Sequence, residues 1–376
     1  APETTPLLRL LSLDIPVFAL AHASRHIAVG CRKFRQNAAM RSAYWISRLV
    51  FIILFVSIGL SIRGALLGLI CASLAEAILG FTLVKPDFRK GGFAALTRFW
   101  HFFAPLQLAE IYKRLLVQEL IVLKAFGGSS AVTGQYGAAK NLAVAPILLS
   151  SAIRPTLLSV LTHSRHHGDE QTARELAIAT LRSLFWVLPA AAIAAVCADE
   201  IVSFIFGPAY KAAATLFPLL LFAGMGFLVI NIGIALFIAW NIPGMSVRVT
   251  LPMLPVAVVG YGIGYPLFGA VGIAAATLAA VLTGTLLTFF MLQRHLKLSP
   301  PAWTIIRSSA CACAVGIAAR LWPVSGAAVL GKLVLGLLLS VLLLWAVGEF
   351  SRKDRLILRN FFRQGRYTTP ARSEKQ

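Results

Sequence analysis

Apolar runs of about 20 residues, separated by short polar stretches, recur along the whole chain. A helix of that length crosses the hydrocarbon of a bilayer. Eleven candidate spans follow: residues 7–30, 43–62, 64–84, 103–125, 131–161, 176–207, 213–240, 247–265, 268–292, 302–322 and 327–349. Membrane-spanning strands alternate polar and apolar positions, and these runs do not. The pattern therefore predicts an all-α, polytopic transmembrane helix bundle. Turn-forming residues mark several boundaries: Lys85-Pro86, Gly127-Gly128, the stretch from Asn241 to Gly244, and Ser299-Pro300-Pro301. No linker is long enough to hold a soluble domain. The segment 351–376 is basic and polar, and reads as a short amphipathic stretch followed by a disordered tail.

Composition agrees with the pattern: 58% of residues are hydrophobic and 13% charged, against roughly 25% charged in a soluble domain. Charge adds orientation. A net +21 would suggest nucleic acid in a soluble chain, but here most Lys and Arg lie between the apolar runs. Topology explains them, and no nucleic-acid partner is expected. One set of loops holds Arg32, Lys33, Arg35, Arg41, Lys85, Arg89, Lys90, Arg98, Arg165, Arg174, Arg248, Arg294, Lys297 and the basic tail. The other holds only Arg63, Lys124, Lys211, Arg320 and Lys332. The first set and the C-terminus belong in the cytoplasm, and residue 1 on the opposite side.

That parity decides the least apolar run. AEIYKRLLVQEL, from Ala109 to Leu120, carries Glu110, Lys113, Arg114 and Glu119. The loops 85–98 and 163–174 are both basic, so one crossing is needed between Arg98 and Ala131, and only 103–125 supplies it. A charge at mid-bilayer costs at least about 2.5–3.5 kcal/mol, so such groups face a bundle interior or a wet cavity. On one continuous helix Glu110, Arg114 and Gln118 share a face, with Lys113 beside them; Glu119 points away, and stays out of the site. Two readings stay open: an ion pair closed within the helix, or the polar wall of a substrate cavity. Lys140 and Asn141 join the cavity reading from the next span, although Lys140, like Arg154, also fits an interfacial snorkelling role. Asp14, Glu76 and Glu110 are the carboxylates well inside spans, so they are candidates for ion or proton coupling, with a structural role as the alternative. An interior with more cations than anions suits an anionic ligand. A diphosphate comes first; an organic anion or an anionic lipid head comes second.

Several chemistries lack their residues. The chain has no GxxxxGK[ST] loop, no HExxH and no CxxC, and its five cysteines read as small hydrophobes, Cys311-Ala-Cys313 included. His163, His166 and His167 fall in a charged loop and read as a solvated turn rather than a metal site. Gly260-Tyr-Gly262-Ile-Gly264 lies inside a span, where it indicates close helix packing or a kink. Short outer loops leave no platform for a polymerase or ligase. Neither a catalytic nor a metal site is expected.

Three further segments carry a resemblance. GQYGAAKNLAVAPILLSSAIRPTL, from Gly134 to Leu157, resembles the GxYxxAxxL helix of polysaccharide-export flippases, with Gly134 and Tyr136 at matching places. IVSFIFGPAYKAAATLFPLLLFAG, from Ile201 to Gly224, is similar to their FGxxYxxA segment through Phe206, Gly207 and Tyr210. YPLFGAVGIAAATLAAVL, from Tyr265 to Leu282, resembles their PxxGxxGxA segment through Pro266, Gly269, Gly272 and Ala274. In order and at this spacing, they resemble Wzx-type O-antigen or exopolysaccharide flippases of the MOP (multidrug/oligosaccharidyl-lipid/polysaccharide) superfamily.

The resemblance implies a MATE/MOP-like fold of two related bundles around a central cavity. It places the remainder of an N-terminal bundle in 1–98, with about three spans. The C-terminal bundle and extra helices take 99–350, with about eight, and the cytoplasmic tail takes 351–376. The chain starts as if at the fourth helix of a fourteen-helix pattern, which leaves the first bundle incomplete. A truncated product and a chain numbered after an omitted start both fit. The implied function is flipping of an undecaprenyl-diphosphate-linked oligosaccharide across the bacterial inner membrane by alternating access. An ion gradient would be the only cofactor, and no covalent chemistry or enzyme activity is expected. The bilayer and that lipid-linked glycan are the implied partners, with a polysaccharide polymerase and chain-length machinery as further ones. The alternatives are an ion-coupled multidrug or organic-ion antiporter of the same fold, and a non-transporting remnant.

Overall fold

A computed structural model describes residues 5–31, 33–85, 93–166 and 168–349. Residue 1, Arg32, the loop residues 86–92 with Arg89 and Lys90, His167 and the tail 351–376 lie outside the described residues, as does the side chain of Arg98. Among the described residues every element is helical. Among the described residues seven stretches are long and apolar enough to cross a membrane, against the eleven expected spans; residues 34–84 count as one continuous stretch, and the runs 7–30 and 103–125 are not among the seven. The chain is an all-α polytopic bundle, as its pattern predicts. Its contacts divide it into two compact units that meet in sequence between residues 93 and 94.

The first unit holds α1 (Thr5–Ser12), α2 (Asp14–Gly30), α3 (Phe34–Phe55) and α4 (Ser61–Val84). A five-residue π-turn, Val56–Leu60, joins α3 to α4, with Gly59 at φ 93°. The two helices fold back on each other closely. A Cβ on Gly64 would meet the Phe55 carbonyl at 2.8 Å, and one on Gly68 would meet the Ile52 amide at 2.8 Å. This is the small-xxx-small device by which helices pack in a bilayer, where van der Waals contact replaces the hydrophobic effect between helices. On its other side α4 accepts α2, where Gly80 lies against Ser24. Glu76 of α4 is fully buried in this contact and pairs with Arg25 Nε at 3.0 Å. Asp14, at the start of α2, is buried.

The second unit holds α5 (Phe93–Leu116), α6 (Glu119–Ala125), α7 (Ser130–Leu142), α8 (Ala145–His166), α9 (Glu170–Phe185), α10 (Leu188–Val196) and α11 (Ala198–Phe206). It continues with α12 (Ala213–Ala239), α13 (Gly244–Thr250), α14 (Met253–Leu296), α15 (Ala302–Leu321) and α16 (Ala328–Ala346). The core is α12. It is apolar all round, and is therefore buried all round, against α8, α14 and α7. Gly269, at φ 57°, folds α14 into a hairpin in which Gly264 lies on Gly272 and Gly260 on Ala276. The boundary expected between 265 and 268 falls at this turn.

Several runs read as single spans are interrupted, and proline explains three of the interruptions. α1 ends at Ser12, α7 at Leu142 and α9 at Phe185, and Pro16, Pro146 and Pro189 each come four residues later. A proline ring clashes with the carbonyl four positions back and cannot donate to it. Three more breaks lie inside such runs: one at 251–252, which contains Pro252 itself, and two, at 117–118 and at Cys197, with no proline near them.

Arginines of the last turn of α8 and of α9 gather one end of this unit. Arg165 donates to the Ala239 carbonyl at 2.8 Å, at the end of α12, and lies over the Trp240 ring. Arg174 donates to the Leu296 carbonyl at 3.0 Å, at the end of α14. Arg182 donates to the Glu349 carboxylate at 3.0 Å, just beyond α16. Helix C-termini present unsatisfied carbonyls and partial negative charge, which arginine matches on both counts.

Candidate functional site

The least apolar segment is not the continuous helix its spacing suggested. α5 stops at Leu116, Val117 and Gln118 lie in a turn, and α6 starts at Glu119. In a bilayer the carbonyls released by such a break must find partners inside the protein. Two side chains from other helices supply them. Tyr261 of α14 donates its hydroxyl to the Leu116 carbonyl at 3.3 Å, and Lys140 of α7 donates to the Val117 carbonyl. The break re-aims the residues beyond it. Glu119, left out of the site because a continuous helix would turn it away, is buried and pairs with Lys140. That expectation is corrected: the turn at 117–118 invalidates the constant 100° per residue on which it rested.

A cavity of about 410 Å³ lies beside the break. Glu110, Lys113, Arg114, Gln118, Glu119 and Lys140 form its polar wall, with Asn231 from α12 and Thr277 from α14. Val144, Ile147, Leu220 and Phe227 form an apolar wall opposite in character. Asn141 does not line it: it lies on an exposed part of α7, one position from Lys140 and therefore on another face.

The charges form two groups. In the first, Lys113 Nζ pairs with Glu110 at 2.7 Å and donates to Asn231 Oδ1 at 2.9 Å. Asn231 in turn donates to Ser150 of α8 at 3.1 Å. Arg114 stands 3.7 Å from Glu110 with its side chain 78% exposed, and Arg154 of α8 acts electrostatically on Glu110 and Lys113. The second group is Glu119 with Lys140, over Tyr261 and Thr277, whose hydroxyls are 3.0 Å apart. Counting Arg154, cations outnumber carboxylates around the cavity.

The residues that carry the family-like patterns are framework. Tyr136 is fully buried in α7, one turn before Lys140, and Gly134 is exposed on the same helix. Phe206 ends α11 and its ring lies 5.4 Å from that of Tyr210, across Gly207 at φ 82°. Gln135 ties α7 to this turn through the Ala209 carbonyl at 3.4 Å. Pro266, Gly269 and Gly272 build the α14 hairpin. Of the coupling candidates, Glu110 lines the cavity, whereas Asp14 and Glu76 belong to the first unit. Among the described residues no group of His, Cys, Asp and Glu could hold a metal ion.

Arg154 fits a snorkelling role by its place in the sequence, and neither it nor Asn231 is tied to the site by the sequence pattern. Asn231 bonds to Lys113 of α5 across more than a hundred positions, and Arg154 acts on α5 through electrostatics across about forty, so no local pattern encodes either. Residues 1–215 match the polysaccharide biosynthesis protein family. The match takes in the three breaks on α5 to α10 that precede Cys197 and most of the polar wall; Asn231 and Thr277 lie beyond it. No curated protein matches the chain.

Proposed function

The chain belongs to the polysaccharide biosynthesis protein family, and from that premise we propose that it moves a lipid-linked oligosaccharide across the bacterial inner membrane. The reading serves surface polysaccharide synthesis of the O-antigen, lipopolysaccharide or exopolysaccharide kind. It is carried by one observation: a cavity within the helix bundle that joins a wall bearing lysine and arginine to an apolar one. An undecaprenyl-diphosphate glycan needs both, cations for its phosphates and an apolar surface where the headgroup meets the isoprenoid. The protein acts as a carrier, without covalent chemistry, and an ion gradient drives the cycle. Residue 1 lies on the periplasmic side and the C-terminus in the cytoplasm. The convergence of Arg165, Arg174 and Arg182 on the ends of α12, α14 and α16 supports that orientation, because it gathers those ends at one basic face.

An ion-coupled organic-ion antiporter of the same fold is the second reading, favoured by the carboxylates Glu110 and Glu119 on the cavity wall. One experiment separates the two. Lys113→Ala with Arg114→Ala, expressed in a host that depends on this protein, abolishes surface glycan while the protein still inserts. Normal glycan in that double variant rejects the flippase reading.

A further inference from the structure

The two lysines of the cavity wall share a coordination pattern. Lys113 Nζ has one carboxylate partner, Glu110 at 2.7 Å, and one neutral oxygen, Asn231 Oδ1 at 2.9 Å. Lys140 Nζ also has one carboxylate partner, Glu119, and one neutral oxygen, the Val117 carbonyl. The neutral partners are fixed from behind. Asn231 is anchored by its bond to Ser150 at 3.1 Å, and Val117 belongs to the backbone of the break. Both carboxylates sit on the cavity wall, where a ligand would compete with them.

An ammonium group left alone at this depth is costly, so an unliganded anion site needs counter-ions of its own. A carboxylate carries one charge and a phosphate up to two, with more acceptor oxygens. A phosphate therefore displaces a carboxylate from an ammonium group, but gains only the difference between the two pairings. We propose that Glu110 and Glu119 are exchangeable counter-anions. A ligand with two acidic groups takes their places on Lys113 and Lys140, while Asn231 and the Val117 carbonyl keep the ammonium groups where they are. Glu110 retains Arg114, 3.7 Å away, as a second cation to fall back on. The carboxylates thus set how tightly the ligand is held and how readily it leaves. This inference rests on the anionic-ligand reading of the cavity and adds the counter-intuitive sign: removing an acid from the site tightens binding.

Titration calorimetry of the intact protein in detergent tests it, with farnesyl diphosphate as probe and farnesyl monophosphate and farnesol as controls. Lys113→Gln and Lys140→Gln weaken farnesyl diphosphate binding by about tenfold or more, as expected for losing a charge-assisted partner. Glu110→Gln and Glu119→Gln each tighten it by about tenfold, more for the diphosphate than for the monophosphate, and neither changes farnesol. If the lysine variants weaken binding while the glutamate variants leave it unchanged or weaken it, the exchange is wrong and the cavity reading stands. If wild-type protein does not bind farnesyl diphosphate, or the lysine variants bind it as wild type does, both fall. Size-exclusion profiles check folding. Should Glu119→Gln aggregate, Glu110→Gln carries the test alone, since its side chain is 40% exposed and tolerates the change.

Discussion

Two breaks in the second unit share a construction and differ in what can reach them. At 117–118 and at Cys197 a helix stops without a proline, and the next helix carries a glutamate in its first turn, Glu119 or Glu200. Acid is favoured there by the helix dipole. Each glutamate pairs with a lysine from another helix: Glu119 with Lys140, and Glu200 with Lys332 through both oxygens at 2.7 and 2.8 Å. Exposure is reversed between them. At the first break the glutamate is 3% exposed and the lysine 26%; at the second the lysine is 4% exposed and the glutamate 18%. Lys140 lines the cavity, where an anion can approach it, while Lys332 is buried behind Glu200 and does not line that cavity. Glu200 also accepts from the Val324 amide at 3.3 Å, which fastens the connection between α15 and α16 onto α11. A buried ion pair by itself is weak evidence for function; which partner faces open space distinguishes the site from the staple.

The largest effect tests the staple. Lys332→Met leaves Glu200 without its cation, and losing one member of a buried pair costs about 3–5 kcal/mol. A fall in melting temperature in detergent measures it. Replacing both partners, Glu200→Gln with Lys332→Met, recovers most of that loss and keeps glycan export. The matching pair of changes at the first break, Glu119→Gln with Lys140→Met, also folds but loses export. If the Glu200/Lys332 double variant is folded and export-negative too, the distinction between the two breaks collapses.

A smaller effect concerns what holds the first break open. Tyr261→Phe removes the hydroxyl that the Leu116 carbonyl accepts, a net loss of about 0.5–1.5 kcal/mol. Amide exchange should quicken at residues 117–122 and stay unchanged around Cys197. Uniform quickening at both breaks would mean that Tyr261 supports the bundle at large and not this turn.

The same two breaks show what the chain's pattern discloses. The α14 hairpin was legible because Pro266 and Gly269 interrupt an apolar run, and the proline breaks near Ser12, Leu142 and Phe185 carry their cause in the sequence. Lys113, Arg114, Glu110, Gln118 and Lys140 were legible as site candidates because polar side chains inside an apolar run are conspicuous. RLLVQE, from Arg114 to Glu119, has no glycine or proline, and its break depends on Lys140 and Tyr261 reaching its carbonyls from other helices. Glu119 was therefore assigned to the wrong side. Asn141 was included because it neighbours Lys140 in sequence, although adjacent helical positions lie about 100° apart.

Asp169 offers the smallest effect and a control on both breaks. It is a third acid at a helix start, but it lies outside the spanning segments and pairs with no lysine among the described residues. Its carboxylate accepts from the Thr172 amide at 3.1 Å and caps α9. Hydrogen bonds from the Thr172 side chain and amide hold its pKa below the ordinary aspartate value. A depressed carboxyl pKa stabilises the fold above the unfolded-state value, about 3.9, and that contribution is lost as pH falls through the folded value. Amide exchange in the first turn of α9 should therefore quicken below about pH 4, and Asp169→Ala should quicken it at neutral pH and remove the pH dependence. Neither change should alter ligand binding or glycan export. An export defect in Asp169→Ala would show that acid at a helix start matters here without a reachable lysine, and the contrast between Lys140 and Lys332 would lose its meaning.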